Sequence, residues 1–287
     1  MRILLIGAAG QLSQDLLSVL ERADHEVVPV THEQLEICSR KAVREAVAAA
    51  RPQCIINTAA FHRVDDCEEQ ADRAFAVNVM GVRNLAEEAE QAGAALAHFS
   101  TDYVFGGERT SPYRETDLPQ PLSVYAISKL AGEFAVRAYC SRHFVIRTCG
   151  LYGMGGSRSK GGNFVETMLR LAAQKRTIKV VADQVVTPTY TADLAERVLP
   201  LIDSQHYGLY HMTSTGQCSW HEFAAQIFRL AGVEADLRAT DSESFGAKAR
   251  RPLYSVLDNF RMRAAGIAEF RPWQEALADY MGRRQAL

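Results

Sequence analysis

The 287-residue chain reads as an α/β protein: a doubly wound parallel sheet with a smaller mixed α/β lobe. Three observations carry that reading. Short apolar runs alternate with helical patterns through the first half, as expected of parallel strands joined by crossover helices. A glycine turn, Gly7-Ala8-Ala9-Gly10-Gln11-Leu12-Ser13, separates the first run from the first helix. A polar cluster, Ser100-Thr101-Asp102-Tyr103, closes a later run, at the strand end where open α/β sheets place ligands.

Taken in order, Arg2 to Ile6 is a buried strand and Asp15 to Ala23 has helical periodicity. A glycine turn at this place receives a dinucleotide pyrophosphate on the free amides of the helix; the alternative is an ordinary strand-to-helix turn. The spacing is G-x-x-G-x-x-S, with Ser13 where a third glycine normally lets helix and strand approach. Glu26 to Val30 is a second strand, followed by Thr31 and His32, which do not choose between NADH and NADPH. Ser39 caps a helix to Ala50. Cys54 to Asn57 is a third strand running into small residues, Thr58-Ala59-Ala60, suited to a close cofactor or to a tight turn. A helix from Ala71 to Gln91 turns Phe75, Val77, Val79, Val82, Leu85 and Ala89 inward, with Asn78 among them. Asn78 is either buried and hydrogen-bonded or partly exposed.

Ala95 to Phe99 is the fourth strand, a helix spans Val124 to Tyr139, and Phe144 to Arg147 is the fifth strand. Gly153 to Gly162 reads as a loop, a lid or a plain excursion. Beyond it come a helix from Phe164 to Gln174, a strand with a turn from Val180 to Tyr190, a helix from Thr191 to Ile202 and a strand from Gly208 to Met212. Ser219 caps a helix to Leu230, and a last helix spans Pro272 to Met281. The expected division is a dinucleotide-binding domain over 1–150 and a substrate lobe over 151–287, with the helix near 191–202 packing back on the first.

The bulk properties exclude several classes. A net charge of −2 leaves no basic footprint for nucleic acid. No apolar run reaches the roughly 18 residues that span a bilayer, and the N-terminus lacks the layout of a signal peptide. The six cysteines are scattered without a C-x-x-C pair, which argues against disulfides and zinc and for a reducing cytoplasm.

The chemistry centres on Tyr125-Ala126-Ile127-Ser128-Lys129. Four residues apart on a helix, Tyr125 and Lys129 share one face. A neighbouring ammonium is expected to lower the phenol pKa, letting Tyr125 exchange a proton with a carbonyl oxygen. The polar residues 100–103 are either strand-end caps or part of this site.

These residues resemble the extended short-chain dehydrogenase/reductases, and within them the dTDP-4-dehydrorhamnose reductases. The resemblance rests on Gly7 to Leu12, Ile56 to Ala60, Asn78-Val79, Ser100 to Phe105, Tyr125 to Lys129, Arg147-Thr148, Asn163 to Val165, Pro188-Thr189, Arg251-Pro252 and Ser255 to Asp258. It implies a Rossmann sheet and reduction of a 4-keto-6-deoxy nucleotide sugar by NADPH or NADH, as in dTDP-rhamnose biosynthesis. It implies Thr101, Tyr125 and Lys129 as the catalytic group, Tyr125 giving the proton. Gly7, Gly10, Gln11, Leu12, Glu36, Ile37, Ala59, Ala60 and Asn78, with Tyr125 and Lys129, would face the cofactor. Val64, Asp102, Tyr103 and Asn163 would face the sugar nucleotide. Arg250 and Arg251 would meet a diphosphate or remain surface arginines.

The chain departs from the family at Ser13, at Gly106 after Phe105, at Phe61-His62-Arg63, at Glu36 to Ser39, and at Cys149-Gly150-Leu151, where a tryptophan often lines the sugar site. Some members form a magnesium-bridged dimer. Asp15 and Asp193 fall near two of its acidic positions, but the set is incomplete, so no metal is expected, and the chain is a monomer or homodimer. Two alternatives share the fold: an NADP-binding regulatory subunit resembling that of methionine adenosyltransferase, and a nucleotide-sugar epimerase or dehydratase. Dehydratases usually carry an acidic pair after the threonine, where this chain has Asp102-Tyr103.

Overall fold

A computed structural model describes residues 1–155 and 161–286. The first half runs β1 (Arg2–Ile6), α1 (Gln11–Arg22), β2 (Glu26–Val30), α2 (Arg40–Ala50), β3 (Cys54–Asn57), α3 (Val64–Glu69), α4 (Ala71–Phe75), a π-helical segment (Ala76–Gly81), α5 (Val82–Ala92), β4 (Ala95–Thr101), a 3-10 turn (Asp102–Val104), α6 (Val124–Tyr139) and β5 (His143–Thr148). Then follow β6 (Leu151–Tyr152), α7 (Phe164–Ala173), β7 (Ile178–Val181), β8 (Val185–Val186), β9 (Thr189–Tyr190), α8 (Thr191–Ile202), β10 (Gly208–His211), β11 (Cys218–Ser219), α9 (Trp220–Ala231), β12 (Leu237–Thr240), α10 (Ser242–Phe245), α11 (Phe260–Ala264) and α12 (Trp273–Gln285).

Six parallel strands form one sheet in the order β2-β1-β3-β4-β5-β10. Both faces of its central strands are covered, which is why β1 and β3 are continuous apolar runs. Ile3, Leu5, Ile56, Ala97 and Ile146 pack with α1 and α8 on one face. Leu4, Ile6, Ile55, Leu96 and Val145 pack with α2, α5 and α6 on the other. The chain leaves β1 to one side for β2 and returns on the other for β3, opening the crevice at the strand ends where such sheets bind ligands. A second core gathers Tyr152, Tyr190, Phe223, Trp273 and Tyr280 between α7, α9 and α12.

The structure corrects several expectations. Helix α1 starts at Gln11, directly after the glycine turn. The expected strand from Val180 to Tyr190 is three short strands, each paired in a different two-stranded sheet. The expected single helix from Ala71 to Gln91 contains the π-helical segment. Wider turns there rotate the inward stripe, so Phe75 is exposed and Val77 and Val79 are only half-buried, while Val82, Leu85 and Ala89 are buried. The loop expected over 153–162 lies outside the described residues at 156–160.

Candidate active site

The glycine turn packs tightly against the loop after β3. Gly7 has φ of 81°, and a Cβ there would lie 2.6 Å from Thr58 Oγ1. Gly10 caps α1 without a side chain, so the first-turn amides of Gln11 and Leu12 have no intrahelical acceptor. They stand at the positive end of the helix dipole, an anion site. Gln11 Oε1 is buried with no hydrogen-bond partner among the described residues. Gly155 crosses above this turn, where an added Cβ would come within 3.5 Å of Gln11 Cα. Ser13 is fully buried and its Oγ lies 2.7 Å from Thr58 Oγ1, which donates to the Ile6 carbonyl at 2.8 Å. The serine thus bonds across the helix–strand contact that a glycine would leave bare. These features suit a dinucleotide diphosphate.

The other expected cofactor residues spread along the same strand ends. The Ala59 amide donates to Asn57 Oδ1 at 3.0 Å, and the Ala60 carbonyl lies 3.2 Å from His62 Nδ1. Glu36 is exposed and accepts the Cys38 amide at 3.0 Å, which holds its carboxyl below the usual range. Ile37 is buried against Gly81. Asn78 has no exposed surface: its Oδ1 accepts the Phe61 amide at 2.9 Å, and its Nδ2 donates to the Phe61 carbonyl and to Ser128 Oγ, both at 3.0 Å. The Asn78 carboxamide therefore ties the loop after β3 to α6.

Two groups pin the first turn of α6. Ser123 Oγ accepts the Ala126 amide at 3.3 Å, and Glu68 on α3 accepts the Val124 amide at 2.9 Å. Tyr125 is thereby aimed at the end of β4, where its hydroxyl stands beside Thr101 and its ring meets Tyr103 edge-on at 6.1 Å. Thr101 donates to Asp102 Oδ1 at 3.1 Å and accepts the Tyr103 amide at 3.2 Å. One turn further, buried Lys129 donates to the Phe99 carbonyl at 2.6 Å and lies 3.5 Å from His98 Nε2. The expected lowering of the phenol pKa is absent. Burial pushes the Tyr125 phenol above its ordinary value, outweighing the opposing influence of the Thr101 hydroxyl. Lys129 turns its Nζ to Phe99 and His98, and burial pushes its ammonium down to about 8.

A buried polar layer supports this group. Asp102 accepts Ser255 Oγ at 2.5 Å, and burial raises its carboxyl pKa. Glu133 accepts two hydrogen bonds from Arg147, at 2.8 and 2.7 Å, and one from Ser100 Oγ at 2.5 Å. Thr148, opposite Thr101 across β4 and β5, has a buried hydroxyl with no partner among the described residues. Arg251 does not stand as a free cation. It pairs with Asp65 at 2.7 Å, next to Val64 at the start of α3, and lies close to Tyr103. Asn163 caps α7, accepting the Glu166 amide at 3.0 Å and donating to the Gly153 carbonyl at 2.9 Å. Asp193 is held by Arg271, which also reaches Asp279 at 2.7 Å. Among the described residues no cluster of His, Cys, Asp and Glu is arranged for a metal.

Thr101, Asp102, Tyr103 and Tyr125 therefore converge, Lys129 turns its Nζ to Phe99 and His98 behind them, and Asn78 and Asn163 are engaged by the chain itself. Sequence reasoning missed His98, Glu133 and Trp220, and quoted Thr148 and Ser255 as motif residues without giving them a place in the site. An added Cβ on Gly150 would meet the Trp220 indole at 3.2 Å, beside the place where the family tryptophan is lacking. The only signal for His98 and Glu133 was a polar residue inside an otherwise apolar or helical pattern.

A strand-end threonine facing a tyrosine, with a lysine one helical turn behind, places the chain among the extended short-chain dehydrogenase/reductases, which are NAD(P)-dependent oxidoreductases. Residues 1–285 match the model of the family described as RmlD substrate binding domain, and the chain belongs to that family. It is 41% identical to the spore coat polysaccharide biosynthesis protein SpsK of Bacillus subtilis, over 99% of this chain and 98% of that one. It is also 41% identical to a dTDP-4-dehydrorhamnose reductase of Streptomyces griseus, over 97% and 92%. The solved structure of dTDP-4-dehydrorhamnose reductase from Bacillus anthracis in complex with NADP superposes with a TM-score of 0.94 at 38% identity, covering 98% of this chain and 99% of that one.

Proposed function

We propose that the chain reduces the C4 keto group of a 4-keto-6-deoxy nucleotide sugar, converting dTDP-4-dehydrorhamnose to dTDP-rhamnose with NADPH or NADH. The observation that carries this reading is the placement of Tyr125 beside Thr101 at the end of β4, with Lys129 one helical turn behind. A phenol whose pKa is raised stays protonated at neutral pH, as a proton donor in a reduction must be. Thr101 and Tyr125 together hold the C4 oxygen, and Tyr125 passes its proton to that oxygen as the carbon is reduced. NADPH or NADH, when bound, would supply the hydride. Gly7, Gly10, Gln11 and Leu12 would hold the diphosphate; Glu36, Ile37, Ala59 and Ala60 would line the rest of the cofactor; Lys129 would face the nicotinamide ribose.

Residues 1–150 form the dinucleotide-binding part and 151–287 the sugar lobe, with α8 and β10 returning to the sheet. Val64, Asp102, Tyr103 and Asn163 shape the sugar side. Trp220 takes the aromatic place that Cys149-Gly150-Leu151 leave unfilled. The B. anthracis relative, crystallised with NADP, supports the choice of cofactor.

Purified protein mixed with NADPH and dTDP-4-dehydrorhamnose should lose the nicotinamide absorbance. Tyr125→Phe should reduce that rate by about 10²- to 10⁴-fold and leave NADPH binding in place. A wild-type protein that binds NADPH but never oxidises it with any 4-keto-6-deoxy nucleotide sugar overturns the reading in favour of a regulatory subunit.

A further inference from the structure

Helix α3 has six residues, too few to hold its own shape. Arg63 before it is extended and Gln70 after it is not helical, so its direction is set by what grips it. Four of its six residues carry carboxylates, and three of these reach other parts of the chain. Asp65 accepts Arg251 through both oxygens, at 3.2 and 2.7 Å, and the Ala249 amide at 3.0 Å. Glu69, one turn on, pairs with Lys248. Glu68 reaches a different element and accepts the Val124 amide at 2.9 Å.

The two ends of this arrangement lie in different parts of the fold. Just past residues 248–252, β8 holds the chain: the Val185 amide donates to the Leu253 carbonyl at 2.7 Å, and the Val185 carbonyl accepts the Ser255 amide at 2.9 Å. Val124 opens α6, and its amide is a first-turn donor that the helix itself cannot satisfy. Ser123 accepts the Ala126 amide and leaves Val124 to Glu68. Tyr125 is the next residue. Among the described residues no hydrogen bond or ion pair joins 248–252 directly to α6.

We propose that α3 is a link that carries the seating of residues 248–252 to Tyr125, with Asp65 and Glu69 holding it to that segment and Glu68 holding it to the first turn of α6. Asp65, Glu68 and Arg251 are then positioning residues for the phenol. That the phenol gives a proton rests on the reading above; the link does not. A second route to Tyr125 exists, since Arg251 lies close to Tyr103 and Tyr103 meets the Tyr125 ring. That route bypasses the Val124 amide, which tells the two apart.

Hydrogen exchange at the Val124 amide, followed by ¹H–¹⁵N spectra of the protein alone, reads the link without turnover. Glu68→Ala should speed that exchange by about tenfold, and Glu68→Gln, whose carboxamide oxygen still accepts, should restore it. Arg251→Met removes no contact with α6, yet should speed it by a similar factor while the core amides of β4 exchange as before. In the Glu68→Ala background Arg251→Met should add nothing. In protein with ¹³C-labelled tyrosine, the Tyr125 ring signal, assigned through Tyr125→Phe, should move in Glu68→Ala and return in Glu68→Gln. Independent surface contacts predict no response of Val124 to Arg251→Met, and that result overturns the proposal. So does equal speeding in the Glu68→Ala background, or a Tyr125 signal that Glu68→Ala leaves in place. Lys248→Met loosens the same segment from the exposed surface and replaces Arg251→Met where that variant does not fold. A protein that passes these tests and never oxidises NADPH keeps the link and loses only its part in reduction; a working reductase that fails them loses the link alone.

Discussion

Arg147 on β5 and Glu133 on α6 meet through two hydrogen bonds, at 2.8 and 2.7 Å, with each side chain 3% exposed. The fork locks the helix that carries Tyr125 and Lys129 to the strand beneath it. Burying such a pair is costly, and removing one partner leaves the other charge stranded. Glu133→Gln should therefore lower unfolding stability by about 3–5 kcal/mol, read from urea melts. An unchanged midpoint would mean that water reaches Arg147.

Gly132 permits the close approach of α6 to the π-helical segment, because a Cβ on it would overlap the Asn78 carbonyl oxygen. That atom belongs to a backbone held on both sides and cannot swing away. Gly132→Ala should cost about 1–3 kcal/mol of stability, the usual penalty for overpacking, despite the better helix propensity of alanine. A gain in melting temperature would refute the contact.

Ser13→Gly restores a three-glycine turn and deletes the 2.7 Å bond to Thr58. The variant should be less stable by about 1–2 kcal/mol, from the lost hydrogen bond and the added backbone freedom. Its affinity for NADPH, by fluorescence titration, should stay close to that of the wild type, since Ser13 faces the strand. A large change in affinity would place its hydroxyl on the ligand side.

The share of stability held by the buried histidines should fall on mild acidification. Burial, with help from Arg147, pushes His211 down to about 3, and His98 is also held well below its ordinary value. A folded pKa below the unfolded one means that the unfolded chain binds more protons. The histidine contribution is whole above about pH 6.5 and drains away as the pH falls from there towards 3. Each ring contributes a slope approaching 1.4 kcal/mol per pH unit at about 25 °C. The buried carboxyls Asp15, Asp102 and Glu115 are shifted upward and act in the opposite sense. Comparing wild type with His211→Gln in urea melts between pH 6.5 and 5 cancels them. The variant should show the shallower slope.

Much of this was legible in the chain because it is written at short range. The apolar runs of β1, β3 and β4, the glycine turn and the Tyr125–Lys129 spacing each lie within a few residues. The π-helical segment was not legible, since wider turns leave composition unchanged and only shift the phase of the buried stripe. The short strands β7, β8 and β9 were fused because their partners, β12, β11 and β6, are distant in sequence. The expected effect of Lys129 on Tyr125 failed because spacing along a helix gives a shared face, not the direction of a flexible ammonium. His98 and Asn57 sit on adjacent strands, and nothing in their spacing announces that they meet.

The outermost strand of the large sheet, β10, is drawn from far downstream of its neighbour β5. During synthesis the ribosome must deliver the whole stretch from β6 to α8 before that edge can be sealed and before α8 can cover α1. A nascent chain halted near residue 150 exposes a naked strand edge and an uncovered apolar helix flank, a combination that invites self-association. Dividing this molecule into two separately expressed pieces at that point should therefore yield aggregates, and a circular permutant that keeps β5 and β10 together is the better engineering route.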